Sequence, residues 1–533
     1  MKKIILTLVT CILLVSCKKN ILDITPTDRI SESTIWSDPN LPQLFINAQY
    51  NSLQDGLTYE IQYFGDDSYS QYDLGTYQVV GTGALNPSNV NSLSPFYYYW
   101  NTGYKAIANF NIFFEKIDGV PASAEAKEKM IAEVKFLRAF VYAKLIWNYG
   151  GVPIITKPFS LNETLTGVKR NTYDECINYI IKDLDDAIAA LPNQQTGGNL
   201  GRASADAARA LKSRVLLYYA SPLNNPTNVQ TRWKAASDAA LDLINSNTYE
   251  LHADYHNLFI GDGNKEAIFS RFYSSDVFHY IGILLAPIGN GGVAQRNPSQ
   301  NLVDAYEMTN GVIPVINGVV NPDPKNTYNP NDPYVNRDPR FYATVLYNGA
   351  TFKNREIQLY KDGTDFKGND ATRTGYNLYK FLDQSLPVAL IPNYNPWHYF
   401  RLAEIYLNYA EAEYNLGNEI NARLYVNKVR ARVGMPAITE TGTALFERIV
   451  HERQVELAME GHRYYDVRRW KIAPQTDSKP IQGTQITKNA NGTFSYLRVN
   501  LLNRSWNDKL YLFPISFSEI QSSGGSLVQN PGY

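Results

Sequence analysis

The stretch "SAEAKEKMIAEVKFLRAFVYAKLIWNYGG" constrains the fold more than any other part of the chain. Ile131, Val134, Leu137, Val141 and Leu145 recur at steps of three and four residues, with Ile146 beside the last. That spacing gathers apolar side chains on one face of a helix. Gly150-Gly151 stops the run, and Pro153 prevents its resumption. A helix of this kind needs neighbours to cover its apolar face, and the sequence supplies them. "FNIFFEKI" ends a helix just before it. "TYDECINYIIKDLDDAIAAL" and "SADAARALKSRVLLYYA" make a second pair, and "TRWKAASDAALDLINS" adds another helix. "YFRLAEIYLNYAEAEYNLG" and "NEINARLYVNKVRARVG" make a later pair. Helix pairs rich in small Ala and bulky aromatic positions predict a mainly α fold, a tetratricopeptide-like scaffold. The spacing is irregular, and "AEIYLNYAEAEYNLGN" is the best single match to one unit.

Between Tyr249 and His398 this texture breaks. "APIGNGGVAQRNPSQN" and "NPDPKNTYNPNDPYVNRDPRFY" are rich in Gly, Pro, Asn and aromatics and have no helical period. Long irregular segments on a helical scaffold usually carry function rather than stability. "YFGDDSYSQYDLGTYQVVGTG" near the N-terminus reads the same way. The expected fold is therefore a helical-pair scaffold with long irregular, loop-rich insertions. Its expected parts are a leader over 1–16, a helical region over 17–250 and a C-terminal region over 251–533. The last divides into a loop-rich segment, 251–398, and a helical segment, 399–470, and forms one compact unit with the N-terminal region.

The first residues read as an address. Lys2 and Lys3 precede a mostly apolar run from Ile4 to Val15, too short for the ~20 residues a spanning helix needs. Leu14-Val15-Ser16-Cys17 follows and resembles a bacterial lipobox, in which cleavage leaves a lipid-bearing Cys17 at the new N-terminus. Acyl chains on Cys17 would anchor the protein to a membrane, each buried methylene adding about 0.8 kcal/mol. Of the 3 cysteines, Cys11 lies in the leader and Cys17 carries lipid. Cys176 is left to pack in its helix, with no disulfide partner and no thiol cluster for zinc. The formal net charge is −1, with no basic tract, so nucleic acid is not an expected partner.

No GxSxG elbow, HExxH helix or phosphate-binding GxxxxGK[ST] loop occurs, and no cofactor or metal is expected. Asp66-Asp67 is the one carboxylate pair in a loop that invites a glycosidase reading. Adjacent residues cannot by themselves straddle a sugar at about 5 or about 9 Å. "ERQVELAMEGHRYYDVRRW", from Glu452 to Trp470, concentrates more charge. His462 and Asp466 could serve there as a base and its orienter, but no nucleophile or metal motif accompanies them. The favoured reading is structural. Arg453 is expected to pair with Glu456 and Glu460 at helical spacing, and Gly461 to stop the helix. Arg463, Asp466 and Arg468 are expected to pair with one another or with the preceding glutamates.

"EVKFLRAFVYAKLIWNYGGVPI", "RLAEIYLNYAEAEYNLGN", "IVHERQVELAMEGHRYYDVRRW" and the terminal "LYLFPISFSEI" with "NPGY" resemble the SusD/RagB family, in the family's order and across nearly the whole chain. "LVDAYEMTNG", "NRDPRFYATVLYNG" and "TGYNLYKFLD" are similar to further segments of it. The resemblance implies a non-catalytic lipoprotein of the outer membrane, exposed at the cell surface. It also implies a lid on a SusC-like, TonB-dependent β-barrel transporter that captures glycans or, in some members, peptides. The competing reading from another class is a secreted, all-helical glycoside hydrolase; a third is a structural lid with no ligand of its own.

A sugar needs an apolar surface for its C–H face and planar polar groups for its hydroxyls. Aromatics in helices are mostly core, and Trp100, in register with Tyr104, Ile107 and Ala108, is read as packing. Two irregular stretches remain. The first offers Asp66, Asp67, Tyr69, Tyr72 and Tyr77; the second offers Tyr273, Phe278, His279, Tyr280, Asn290 and Arg296. These are expected to form one shallow, solvent-open platform. The "NPDPKNTYNPNDPYVN" segment and Trp397 are the next places for a ligand.

Overall fold

The computed structural model describes residues 32–57, 61–70, 74–93, 98–160, 163–261, 263–368, 371–388 and 392–533. The leader, Cys17 and Tyr72 lie outside these residues. Tyr77 contributes only its backbone, within the helix Leu74–Gly81.

Five helices follow one another along the first half: α1 (Gly103–Lys116), α2 (Ala124–Tyr149), α3 (Tyr173–Ala190), α4 (Ala205–Ala220) and α5 (Gln230–Asn245). Each packs on the next. Their ends are set locally. The Ser123 hydroxyl accepts the Ala126 N–H at the start of α2, and Gly150 closes it at φ 75°, a left-handed conformation that glycine adopts at no steric cost. Thr172 and Glu175 form a reciprocal capping box on α3. Helix α2 is buried on nearly all sides, from Val134 and Phe136 through Tyr142, Ala143 and Ile146. It is the axis of the core rather than a one-faced helix, and each fully buried Leu, Ile, Val or Phe contributes about 1.5–3 kcal/mol. Cys176 packs in α3 with its thiol against the Val152 carbonyl.

The repeat resumes at α6 (Leu402–Asn415), which packs directly on α5, and continues through α7 (Glu419–Arg432) and α8 (Gly442–Glu456). The loop-rich segment is thus an insertion between two neighbouring helices. Its ends meet, because strand Ala267–Arg271 pairs antiparallel with Trp397–Arg401, placing Ala267 opposite Arg401 and Arg271 opposite Trp397. A second short pairing, Ser68–Ser70 with Arg296–Pro298, fastens the N-terminal segment to the insertion. A long hairpin, Ile481–Lys488 with Phe494–Leu502, lies beyond. One apolar core runs from Ile46 to Leu527, and a smaller one lies among α6, α7 and α8. Mainly α, with helical pairs and irregular insertions, is the architecture observed. Among the described residues no helix is long and apolar enough to cross a membrane.

The charged stretch after Glu452 lies inside. Helix α8 ends at Glu456, Met459 and Gly461 turn through left-handed conformations, and helix α9 (Arg463–Arg469) follows. The expected local pairing of Arg453 with Glu456 and Glu460 does not occur. Arg453 binds Asp466 at 3.1 Å and the Asn408 side chain at 2.8 Å, not Glu456 or Glu460. Glu456 takes Arg340, Arg401 and Arg432, Glu452 takes Arg340 and Arg430, and Glu460 takes Arg401 and Lys380. Arg468 binds Asp477 at 3.0 Å, and Arg469 binds Glu411 and Asp466. The helix stops one turn before Gly461, ahead of the left-handed Met459, and these glutamates face guanidiniums brought in by the insertion and by α7. Burial penalises their charge, but the surrounding arginines outweigh it and hold Glu452, Glu456 and Glu460 below the usual carboxylate range.

Candidate functional site

The N-terminal half of the expected platform is interior. Asp66 is 6% exposed and Asp67 2%. Arg463 donates from Nε and Nη2 to the two oxygens of Asp66, at 2.8 Å each. Ser299 binds both backbone carbonyls, through its hydroxyl to Asp66 and its N–H to Asp67. Burial pushes the Asp66 carboxyl up, yet the Arg463 charge and hydrogen bonds prevail and hold it below its ordinary value. Asp67 is held more weakly, with Arg463 Nε 4.0 Å from its Oδ1. Gln454 donates to its Oδ1 at 2.7 Å, and burial with the neighbouring Asp66 charge pushes it up to about 7. Neither carboxylate faces solvent, so neither can accept from a ligand hydroxyl. Tyr69 is also buried, its strand position opposite Asn297.

Part of the second stretch is interior too. Arg296 is buried and donates to the Leu57 carbonyl at 2.8 Å. Asn290 accepts from Arg355, which in turn binds Asp365. His279 is buried, with Nε2 3.0 Å from the Asn395 carbonyl, and burial lowers its pKa. Trp100 is buried edge-on against Tyr149, as its helical register predicts, and Trp397 is buried as well. The two stretches do meet, through the pairing of Ser68–Ser70 with Arg296–Pro298, but inside the molecule. The cause is that both faces of this short pairing are covered, so all three residues on each strand are buried.

What faces outward is the segment Ser274–Tyr280. The Ser274 N–H binds the Val277 carbonyl at 2.7 Å and turns the chain sharply. His279 then bridges Asn393 in antiparallel fashion. Side chains alternate across such a pairing. His279 and Asn393 point inward, so Phe278, Tyr280 and Tyr394 take the opposite side, at 38%, 37% and 42% exposure. The Phe278 and Tyr280 rings meet edge-to-face at 5.3 Å. Exposed Val277 extends this apolar face.

Beside it runs a trough with about 360 Å³ open, lined by Asn47, Tyr50, Arg202, Phe272, Tyr273 and Val277 among others. A second trough of about 350 Å³ adjoins it along strand Ala267–Arg271 and shares Arg202 and Phe272. Arg202 is held in place by Asn47 and Glu133, and Tyr50 donates to the same Glu133. Tyr273 stands in the wall, edge-on to His279 at 4.6 Å, with the Arg271 guanidinium 5.2 Å from its ring centre. Aromatic faces, amides and a fixed guanidinium offer stacking and planar hydrogen bonding together. Among the described residues no carboxylate lines the trough, and no group of three or more His, Cys, Asp or Glu could hold a metal ion. Asn47, Tyr50 and Arg202 were not among the expected site residues. Arg202, in the glycine-rich "TGGNLGRAS" link between α3 and α4, carried a usable signal; Tyr394, in "IPNYNPW", carried another.

Fold and site together define an α-helical repeat protein with a loop-built, aromatic-faced surface site. The chain belongs to the SusD family, whose model matches residues 245–533. A second model, described as "Starch-binding associating with outer membrane", matches residues 22–217. A SusD-like protein from Bacteroides fragilis superposes with a TM-score of 0.82 at 31% identity, covering 96% of this chain and 100% of that one. A SusD-like carbohydrate binding protein from the same species superposes at 0.78 with 27% identity, covering 92% and 99%. A SusD-like protein of Formosa agariphila is 27% identical over 409 residues, 70% of each chain.

Proposed function

We propose that this protein captures glycans at the outer membrane without chemically altering them. The ligand lies on the face of Phe278, Tyr280 and Tyr394 and in the trough beside it. The observation that carries this reading is that exposed aromatic face, set beside amides and an anchored Arg202. The similarity to a carbohydrate binding protein from Bacteroides fragilis supports it, as does the outer-membrane, starch-binding description of the N-terminal family model. A lipid on Cys17 holds the protein to the outer membrane at the cell surface, and a SusC-like, TonB-dependent transporter receives the ligand. Affinity is modest, roughly micromolar to millimolar, because a shallow site buries little of its ligand and must release it.

Isothermal titration of a chain starting after Cys17, against panels of glycans and of peptides, tests the reading. Heat on glycan addition, with no shortened product by chromatography, is expected. Binding confined to peptides would redirect the ligand class, and release of shorter sugars would restore the hydrolase. Replacing Cys17 with Ala is expected to move the protein out of the membrane fraction in cells lacking the transporter.

A further inference from the structure

A small chamber lies between helix α2, the turn before helix α9 and the Gln54–Gly56 segment, and shares Tyr399 and His398 with the walls of the two troughs. Gly56 lies so close to the Trp397 indole that a Cβ there would come within 2.2 Å of it, and this contact seals one side. About 30 Å³ remains open. One water needs roughly 10–15 Å³, so the chamber has room for about two waters or one small ion.

Its wall carries polar groups with nothing to bind. Lys144 is partly buried, and its Nζ makes no hydrogen bond or ion pair among the described residues; it stands 5.5 Å from the ring centres of Trp147 and Tyr465. Arg214 is buried and commits Nε and Nη2 to Glu404 and the Tyr399 carbonyl, leaving Nη1 unbonded among the described residues. Trp147 Nε1 and Gln54 Oε1 are buried without partners. His462 is buried and caps α9 through its backbone, and its ring makes no hydrogen bond among the described residues. Three of these five groups can only donate. The carboxylates on the same wall are committed elsewhere, Asp55 to Arg271 at 3.3 Å and Glu460 to Arg401 and Lys380. Among the described residues the chamber therefore holds an excess of donors and, below about pH 7 where Lys144 is protonated, a positive charge with no counter-charge beside it.

We propose that the chamber binds one small monovalent anion, of halide or formate size, through Lys144 Nζ, Arg214 Nη1 and Trp147 Nε1. Water could fill the space but would leave a protonated Lys144 without a counter-charge. The neighbourhood agrees. Burial and then the Arg214 charge bring the Lys144 ammonium down to about 7, and burial with Arg214 drives His462 well below its ordinary value. A bound anion supplies the opposite charge that both groups lack.

The direct test is a crystal soaked in sodium bromide and measured at the bromide edge. An anomalous peak within hydrogen-bond reach of Lys144 Nζ and Arg214 Nη1, displaced by a formate soak, is expected. Waters alone in the chamber, with bromide only on the outer surface, overturn the proposal. In solution at matched ionic strength, bromide and formate should each raise Tm above its value in gluconate, which is too large to enter. Lys144→Met should abolish that difference and Trp147→Phe reduce it. A Lys144→Met protein that keeps the full bromide-dependent rise also overturns the proposal. If neither variant folds, the soak of the unaltered protein decides.

Discussion

The ion-pair lattice from Glu452 to Arg469 and the aromatic face at residues 277–280 use residue types found at binding sites, and they differ in where water is. In the lattice, Glu452, Glu456, Arg453 and Arg469 are buried and each carboxylate is bonded by guanidiniums. On the face, Phe278 and Tyr280 touch each other and keep one side open. Asp66 sits at the junction, beside Tyr69 in sequence yet bonded to Arg463 of the lattice. Density of chemically able residues therefore does not separate the two regions; open valence toward solvent does. Buried ion pairs are weak evidence for net stability, but breaking one strands its partner. The lattice is best understood as the joint that fixes the insertion to the helical repeat, since Arg340 and Arg401 reach from one to glutamates of the other.

The largest way to break the comparison is Arg463→Ala. It leaves the Asp66 carboxylate buried without its main partner, at a cost of about 3–5 kcal/mol. A clear fall in Tm is expected, with glycan affinity of the surviving folded protein unchanged. Normal melting with lost binding would move Asp66 and Arg463 back to the site.

Asp67 gives a pH-dependent test of the same interior. Its folded pKa, about 7, lies above the unfolded value, near 3.9. The folded state thus binds the extra proton across that window. The stability this provides is complete below about pH 4 and is lost as pH rises through 7. Asp67→Asn imitates the protonated acid and keeps an acceptor for Gln454. Its stability relative to the parent should grow from pH 4 to 7, by at most about 1.4 kcal/mol per unit. Urea melts at pH 4.5, 6 and 7.5 read this; a constant difference means Asp67 is ionised throughout. Asp66, Glu452, Glu456 and Glu460, all lowered, act oppositely and lose their contribution as pH falls below the ordinary carboxylate range.

The helices were legible because a period of three to four residues is local information, and α2, α3 and α6 follow from it. The joint was not. Asp66 and Arg463 are 397 positions apart, and nothing in the loop "YFGDDSYS" announces a distant guanidinium. Helical spacing even misled, giving Glu456 to Arg453 when three other arginines claim it. Of the site, Tyr280, Phe278 and the wall position of Tyr273 were visible as aromatics in an aperiodic stretch. Their inward neighbour His279 was not separable from them, because the alternation that sorts the two sides needs the Asn393 bridge.

On the outward region, replacing Phe278, Tyr280 and Tyr394 together by Ala should weaken glycan binding tenfold or more, about 1.4 kcal/mol. Circular dichroism and Tm should stay within error, since none of the three is core. If the triple variant binds normally, the ligand lies in the Arg202 trough alone, and Asn47→Ala becomes the informative change.

The smallest effect separates how the face works. If Tyr280 acts as a stacking surface, the ring supplies the attraction and the hydroxyl is spectator. Tyr280→Phe keeps the ring and its edge-to-face contact with Phe278, so affinity should change less than twofold, about 0.4 kcal/mol. If Tyr280 instead hydrogen-bonds a sugar hydroxyl, removing its OH leaves that partner unmet, a loss of about 0.5–1.5 kcal/mol. Tyr280→Ala removes both and sets the scale. A Phe variant that matches parent affinity while the Ala variant falls identifies an apolar platform, tolerant of register along an extended chain. A Phe variant as weak as Ala identifies a directional contact and a ligand held in one register.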